Sequence, residues 1–333
     1  MKSKVKHRFL ITGLFISTVL VFFIVATIYY SAGPSPACLF PSSGSVQSGI
    51  SSRRLISGAL ERCYLIYSPN NNENSQRLPV VFALHGFAGN GNGLRSIAVW
   101  ESVAEKEKFI VVYPDGSSFP LRWNIGPIAN IPTVDDLQFI RDVINQLSGI
   151  APIDRERIYV TGFSNGGQMT HRIACNLADQ VAAVGIVDGF DPGMLEECSP
   201  SRPVPIMAFF GTANPLAGVR YPKWFQKMIN VTIDDTEPPL PINAIDKWLE
   251  TWAKRNKCNL NYVSIPAIGN SRSIRYEECL HDAEVVLYSV EGQGHAWPGG
   301  PTLPFLGDSV SDVNASEILW EFFKQHPLNV KPR

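Results

Sequence analysis

The feature that most constrains this chain is a glycine-rich turn at residues 162–167, with the sequence Gly-Phe-Ser-Asn-Gly-Gly. It directly follows an apolar run with strand character at 158–161 and directly precedes a helical pattern at 166–178. Glycines on both sides of Ser164 allow a sharp strand-to-helix turn that holds the serine in a strained, exposed conformation. This context predicts that Ser164 is a nucleophile, whose weakly reactive hydroxyl needs a neighbouring base.

Apolar runs with strand character alternate with helical patterns along most of the chain. This alternation predicts a mainly parallel sheet flanked by helices, and the turn at Ser164 predicts an α/β-hydrolase fold. A proline- and aromatic-rich segment at about 213–241 interrupts the alternation and predicts a small cap insertion. The predicted strands are 63–67, 80–84, 110–113, 158–161, 181–187, 205–210 and 285–289, and the predicted helices are 94–108, 134–148, 166–178, 244–257 and 315–325.

The N-terminal part predicts export. Residues 1–8 form a basic segment that we expect in the cytoplasm, and residues 9–30 form an uncharged run long enough to span a bilayer. An uncleaved anchor is favoured over a cleaved signal peptide. Residues 31–60 are rich in Ser, Gly and Pro and predict a stalk, so that the catalytic domain occupies 61–333.

The charged residues nearly cancel, which leaves a formal net charge of -1. This balance argues against a nucleic-acid partner, and we expect a monomer acting on an ester substrate that is possibly polymer-linked. No pattern indicates a metal or an organic cofactor, because the cysteines and histidines lack zinc-site spacing.

The cysteines are even in number and all lie in the exported part, which favours disulfides over free thiols. They are Cys38, Cys63, Cys175, Cys198, Cys258 and Cys279. Two glycosylation sequons begin at Asn230 and Asn314 and would matter only in a host that glycosylates exported chains.

His295 is the candidate base. It lies in the glycine-rich segment 292–300, immediately after the last predicted strand, which is where an α/β-hydrolase carries its histidine. The chain order of serine, acid and histidine also selects His295, although a structural role for this loop histidine is the alternative.

A second loop, His85–Gly89, follows the predicted strand 80–84, where the fold places oxyanion donors. The backbone N–H groups of Phe87 and Asn165 are the candidate donors for the developing negative charge. His85 itself is interpreted as structural, and a glycine turn without a catalytic role is the alternative for the whole loop.

Three further side chains are candidates for substrate binding. Trp123 and Trp297 are aromatic candidates for the wall of the pocket, with burial in the core an equal alternative. Arg122 is a candidate partner for a carboxylate or for sugar hydroxyls. Asp135 and Asp136 are interpreted as the start of a helix, where carboxylates cap free amides, rather than as catalytic groups.

From about residue 62 to residue 326 the chain resembles the extracellular esterases of carbohydrate esterase family 1, in the branch of feruloyl esterases and polyhydroxybutyrate depolymerases. The resemblance implies that Ser164 and His295 are nucleophile and base. It also implies the disulfides Cys175–Cys198 and Cys258–Cys279, which leaves Cys38 with Cys63. The segments that carry it are 84–86, 113–116, 135–137, 162–167 and 294–299.

The chain departs from this family at the acid of the triad. Relatives resemble Gly-Thr-x-Asp where this chain reads Gly211-Thr212-Ala213-Asn214. An amide in place of that aspartate costs about four orders of magnitude in a serine protease. Asp188, at the end of the preceding strand, is one candidate replacement. The alternatives are Asn214 as a neutral acceptor, one of the loop residues Asp191, Asp234 and Asp235, or a chain without activity.

The sequence therefore predicts an exported serine esterase that works through an acyl-enzyme and resembles feruloyl esterases and polyhydroxybutyrate depolymerases, enzymes of polysaccharide or polyester degradation. A catalytically impaired homologue that serves as a binding module is the alternative, because Asn214 would permit it. A serine peptidase is a third reading, since the same groups can attack amides.

Overall fold

The computed structural model describes residues 41–70, 76–126, 131, 133–190, 198–216, 243–303 and 306–328. The predicted basic and membrane segments, nearly all of the predicted cap, and Asn230 lie outside the described residues. Within the described part of the chain, none of the helices has the length and apolar character needed to span a bilayer.

A sheet of ten strands organises the described residues, in the order β1-β2-β4-β3-β5-β6-β7-β10-β9-β8. The six strands from β4 to β10 in this order run parallel, and antiparallel strands lie at both ends. The strands are β1 (Gly49–Ser57), β2 (Leu60–Ser68), β3 (Leu78–Leu84), β4 (Ile110–Pro114), β5 (Ile153–Phe163), β6 (Ala183–Val187), β7 (Ile206–Gly211), β8 (Val263–Ile265), β9 (Ser271–Tyr276) and β10 (Val285–Val290).

Helices cover both faces of this sheet, as the alternating pattern predicts. Residues of α3, α4 and α5 belong to one apolar core, and residues of α1, α2 and α6 belong to the core on the opposite face. The predicted α/β-hydrolase fold is therefore confirmed. The helices are α1 (Gly91–Ala98), α2 (Trp100–Glu107), α3 (Asp136–Ile150), α4 (Asn165–Asn176), α5 (Asn243–Arg255) and α6 (Ala315–Phe323).

Two predicted boundaries are wrong. The stalk predicted at 31–60 contains β1, which pairs along its whole length with β2. β1 is an edge strand, and only part of its residues are buried. Its sequence is rich in serine and arginine and therefore contains no apolar run that would predict a strand. The helix predicted at 94–108 is two helices, because Val99 has a left-handed backbone with φ 47°. A β-branched residue rarely adopts that conformation, so the sequence carries no signal for the break.

The cysteines follow the pairing that the family resemblance implies. Disulfides join Cys175 to Cys198 and Cys258 to Cys279. Cys63 is also disulfide-bonded, and its expected partner Cys38 lies outside the described residues. Both described bridges close short loops next to the sheet, at the end of α4 and at the end of α5.

The two aspartates at the start of α3 have the structural role that the sequence predicts. Asp135 caps the helix, since its side chain accepts a hydrogen bond from the Gln138 N–H at 2.9 Å. Asp136 is fully buried, pairs with Arg62 at 2.6 Å and accepts the Asn124 N–H at 2.7 Å. It therefore ties β2 and the loop after β4 to the helix.

We expect Asp136→Ala to lower the free energy of unfolding by about 3–5 kcal/mol, because the charge of Arg62 would remain buried without its partner. The matched variant Asp135→Ala removes only a cap and should cost about 1 kcal/mol. Urea unfolding of the two variants measures this difference. Equal losses in the two variants would contradict the assigned roles.

Candidate active site

Ser164 lies at the turn between β5 and α4, with φ 54° and ψ -121°. The turn is sterically tight, because a Cβ on Gly162 would lie 2.2 Å from the Gly166 oxygen. A Cβ on Gly166 would lie 2.1 Å from the Leu84 oxygen. Only glycine fits these positions, and the result is a partly exposed serine in a strained backbone conformation. This is the strand-turn-helix arrangement that the motif predicts.

The candidate oxyanion loop passes directly beside the serine. A Cβ on Gly86 would lie 3.3 Å from Ser164 Cβ, so this loop and the turn are in close contact. The N–H groups of Phe87 and Asn165 donate to no acceptor among the described residues, whereas Ala88 N–H donates to the Leu121 carbonyl at 2.8 Å. Two N–H donors with no acceptor among the described residues thus belong to the loop and the turn that meet at the serine, and Phe87 and Asn165 remain the candidate oxyanion donors.

His85 holds this loop in place. Its Nε2 accepts the Gly116 N–H at 2.8 Å, so its Nδ1 carries the proton and donates to the Gly86 carbonyl at 2.7 Å. Burial lowers the pKa of His85 to about 4. A neutral imidazole with both nitrogens bonded has a structural role, as predicted.

His295 lies in the loop after β10, and its ring is 4.8 Å from that of Phe163, the residue before the serine. The loop is fixed by the backbone bonds of Gly294 N–H to the Asp308 carbonyl and of His295 N–H to the Leu306 carbonyl. His295 is 5% exposed. Burial lowers its pKa to about 4, so the imidazole is neutral over the physiological range.

Gln293 supports the same loop, although it belongs to no catalytic motif in the sequence. It is fully buried, its amide donates to the Ala296 carbonyl at 2.8 Å, and its oxygen accepts the Val310 N–H at 2.7 Å. The side chain thus spans the turn that contains His295. The only sequence signal was its position two residues before the histidine.

Asn214 and Asp188 are the two described side chains that face Nδ1 of His295. The nearer is Asn214, whose Nδ2 lies 3.0 Å from Nδ1. The other is Asp188, whose Oδ2 lies 3.9 Å from Nδ1. Asp188 follows β6 with a left-handed φ of 46°, and its Oδ1 accepts the Gly211 N–H at 3.1 Å. Its Oδ2 is buried and has no hydrogen-bond partner among the described residues.

Asn214 therefore does not have the role of neutral acceptor that was one alternative for it. Its Oδ1 accepts the Leu216 N–H at 2.9 Å, which fixes the amide with Nδ2 toward the histidine. An amide N–H can only donate, so in this arrangement Nδ1 is the acceptor and the imidazole proton is on Nε2. Among the described residues, the carboxylate that faces Nδ1 is that of Asp188, with Oδ2 3.9 Å away.

The electrostatic state of Asp188 follows from its burial. Burial raises the pKa of this carboxyl to about 7, and hydrogen bonds from the Gly211 N–H and from the Asn214 side chain oppose the shift. An acidic group whose pKa lies near neutrality, next to a buried histidine, is typical of functional sites. The remaining candidate acids, Asp191, Asp234 and Asp235, lie outside the described residues.

The two tryptophans predicted as possible pocket walls are both core residues. Trp123 is 0% exposed and donates from Nε1 to the His85 carbonyl at 2.8 Å. Trp297 is 1% exposed and donates to Ser316 Oγ at 3.1 Å. Substrate contact is therefore wrong for both, since each ring is enclosed by protein. Arg122, which directly precedes Trp123 in the chain, is in contrast partly exposed.

Comparison with known proteins relates the chain to esterases. No family model matches it. It is 28% identical over 278 residues to "Feruloyl esterase B" of Piromyces equi, which covers 80% of this chain and 46% of that protein. The chain thus spans less than half the length of that relative. It is also 24% identical over 269 residues to "Feruloyl esterase C" of Emericella nidulans, and this match covers 79% of this chain and 83% of that protein.

A solved structure agrees with these relatives. The acetyl xylan esterase from Aspergillus awamori superposes with a TM-score of 0.56 at 16% identity, covering 82% of this chain and 99% of that one. At this identity the likeness shows the fold alone. Together with the sequence relatives, it confirms the predicted resemblance to esterases of the α/β-hydrolase fold.

Proposed function

We propose that this chain, a serine hydrolase of the α/β-hydrolase fold, cleaves carboxylic esters through an acyl-enzyme on Ser164. The observation that carries the proposal is the position of Ser164 on a strained turn, next to a loop and a helix start with two N–H donors that have no acceptor among the described residues, and near a buried neutral histidine. These are the parts that acyl transfer requires: a nucleophile, a base and donors for the oxyanion.

In the proposed reaction, Nε2 of His295 takes the proton of Ser164 as the hydroxyl attacks the ester carbonyl. The N–H groups of Phe87 and Asn165 bind the oxyanion, and the protonated histidine then passes its proton to the leaving alcohol. Water hydrolyses the acyl-enzyme by the same route. The histidine must carry its resting proton on Nδ1 for this chemistry, which the bond from Asn214 opposes.

Asp188 is the proposed acid. A shift of the imidazole that shortens the separation of 3.9 Å between Nδ1 and Oδ2 would create an Nδ1–H to carboxylate bond and displace the Asn214 amide. The buried Oδ2, which has no hydrogen-bond partner within 3.5 Å in the described part of the chain, would then gain one. Asp188 would both select the active tautomer and stabilise the imidazolium.

This arrangement predicts how activity depends on pH. Asp188 must be ionised, and its pKa of about 7 lies above the pKa of about 4 for His295. We therefore expect kcat/KM for a neutral ester to rise with pH through about 7 and to level off above it. Measurement of kcat/KM between about pH 4 and 9 tests this expectation. If kcat/KM instead rose with a midpoint near pH 4, the titrating group would be His295, and the role of Asp188 would be contradicted.

The proposed substrates are feruloyl or acetyl esters of polysaccharide, because the similar proteins carry those names. Hydrolysis of p-nitrophenyl acetate, methyl ferulate, acetylated xylan and a hydroxybutyrate oligomer by the purified protein tests both the reaction and its substrate class. Turnover of none of them would contradict the proposed function and would favour the binding-module alternative.

We also propose that the domain is exported and held at a membrane by residues 9–30. The basic residues before this uncharged run and the two described disulfides support export to an oxidising compartment. Carbonate extraction of membranes from cells that express the whole chain tests the anchor. Complete release of the protein would contradict it.

A further inference from the structure

The bridging segment, residues 116–123, follows β4 and is closed on itself by backbone hydrogen bonds. Ser117 N–H donates to the Arg122 carbonyl at 2.9 Å, and Arg122 N–H donates to the Ser117 carbonyl at 3.0 Å. Gly116 packs against the other end of the segment, since a Cβ on this glycine would lie 2.5 Å from the Arg122 oxygen. The segment is therefore a compact loop of fixed shape.

Three hydrogen bonds join the bridging segment to the candidate oxyanion loop. Ala88 N–H donates to the Leu121 carbonyl at 2.8 Å. Gly116 N–H donates to His85 Nε2, and Trp123 Nε1 donates to the His85 carbonyl, both at 2.8 Å. These bonds hold the loop on both sides of its candidate donor, so the position of that N–H group depends on the bridging segment.

The end of the bridging segment is also bonded to the residue after the nucleophile. Trp123 N–H donates to Asn165 Oδ1 at 2.8 Å, and Asn165 Nδ2 donates to Gln168 Oε1 at 3.4 Å. The two bonds orient the amide, because only its oxygen can accept and only its nitrogen can donate. Asn165 thus offers its backbone N–H as a candidate oxyanion donor, while its side chain holds the bridging segment.

These bonds matter because the two candidate donors belong to different parts of the chain. Phe87 lies in the loop after β3, and Asn165 begins α4. An oxyanion site requires both N–H groups at about 2.7–3.1 Å from the developing charge. The contact of Gly86 with Ser164 prevents closer approach of the loop and the turn, but it does not resist their separation. Hydrogen bonds through the bridging segment resist that separation.

We propose that Asn165 and Trp123 are positioning residues that fix the separation of the two candidate oxyanion donors. This inference rests on the proposed esterase function. Without the bond to Asn165 Oδ1, the bridging segment and the oxyanion loop can move relative to the serine. Displaced donors stabilise the oxyanion less, whereas the bound ester carries no such charge and loses little. Because acylation and deacylation both pass through an oxyanion, kcat falls while KM stays nearly constant.

Asn165→Ala tests the proposal with little risk to the fold, because Asn165 is partly exposed and the variant keeps the backbone N–H. For p-nitrophenyl acetate we expect kcat to fall about tenfold to a hundredfold, with KM within about threefold of the wild type. The inhibitor butyl trifluoromethyl ketone accepts the serine oxygen at its carbonyl and becomes an oxyanion. Its Ki should rise by the factor by which kcat falls. An unchanged kcat, or a loss that is expressed only in KM, would overturn the proposal.

Trp123→Phe provides a second, independent variant. It keeps an aromatic ring in the core but removes the bond from Nε1 to the His85 carbonyl, and kcat should fall about tenfold. Since both residues act through one segment, the variant that combines Asn165→Ala with Trp123→Phe should lose less than the product of the two single losses. Losses that multiply would show independent effects and would contradict the shared role.

Two matched controls remove comparable hydrogen bonds elsewhere. Asn176→Ala removes a bond to the Arg172 carbonyl at the far end of α4, and Trp320→Phe removes the bond from a buried indole to Glu107. Both controls should keep the kcat, KM and Ki of the wild type. Equal losses of kcat in the controls would assign the effect to general destabilisation and overturn the proposal. A wild type that hydrolyses no ester would overturn the esterase function itself, whereas full activity in Asn165→Ala would overturn this inference alone.

Discussion

Ser164→Ala is expected to lower kcat for ester hydrolysis by about five to six orders of magnitude, as removal of the nucleophile does in other serine hydrolases. It should also abolish labelling by a fluorophosphonate probe, which reacts only with an activated serine. The loss follows from the position of Ser164 on the strained turn after β5, beside the candidate oxyanion loop. Steady-state kinetics on p-nitrophenyl acetate measure the effect.

The matched control is Ser264→Ala, because Ser264 is exposed on the short edge strand β8. This variant should retain the activity of the wild type and its labelling. Thermal unfolding of both variants separates loss of chemistry from loss of fold. Retention of half the activity by Ser164→Ala would contradict the nucleophile assignment.

Asp188→Asn is expected to lower kcat by about four orders of magnitude, in line with the amide substitution at the triad acid of a serine protease. Asparagine is the appropriate replacement because it tolerates the left-handed backbone at this position and can still accept the Gly211 N–H. The change then removes only the carboxylate that faces Nδ1 of His295. The same steady-state assay measures it.

Variants of Asn214 provide the comparison. Asn214→Ala removes the bond from Nδ2 to His295 and should change kcat by no more than about tenfold, because this bond favours the inactive tautomer. Asn214→Asp would place a second carboxylate near Asp188 and raise the pKa of the pair, so we expect no gain at neutral pH. A gain of several orders of magnitude in Asn214→Asp would instead show that the natural chain lacks an acid.

The nucleophile turn could be predicted because its signal is local. The glycines at 162 and 166 are required by backbone contacts within a few residues or with the adjacent strand, and the same glycines are visible in the sequence. Likewise, Asp135 and Asp136 occur at a helix start, where their role depends mainly on neighbouring residues. The positions of His85 and His295 could be predicted because each follows a predicted strand, and the carboxyl ends of parallel strands meet at one edge of the sheet.

The acid could not be settled from the sequence, because tertiary contacts decide it. The orientation of the Asn214 amide depends on the Leu216 N–H, and the direction of Asp188 depends on its left-handed backbone and on Gly211. The prediction that Trp123 and Trp297 contact substrate was wrong for a related reason. An aromatic side chain near a site can line its wall or pack in the core beneath it, and the sequence does not distinguish the two. β1 was missed because an edge strand needs little apolar sequence.

The central claim is that Ser164 forms an acyl-enzyme, and trapping that intermediate tests it most directly. The wild type would be mixed with p-nitrophenyl acetate, quenched in acid at short times, digested and analysed by mass spectrometry. We predict a burst of p-nitrophenol and an acetyl group on the peptide that contains Ser164, absent from Ser164→Ala. Release of p-nitrophenol without acetyl on that serine, or at equal rate in Ser164→Ala, would contradict the account.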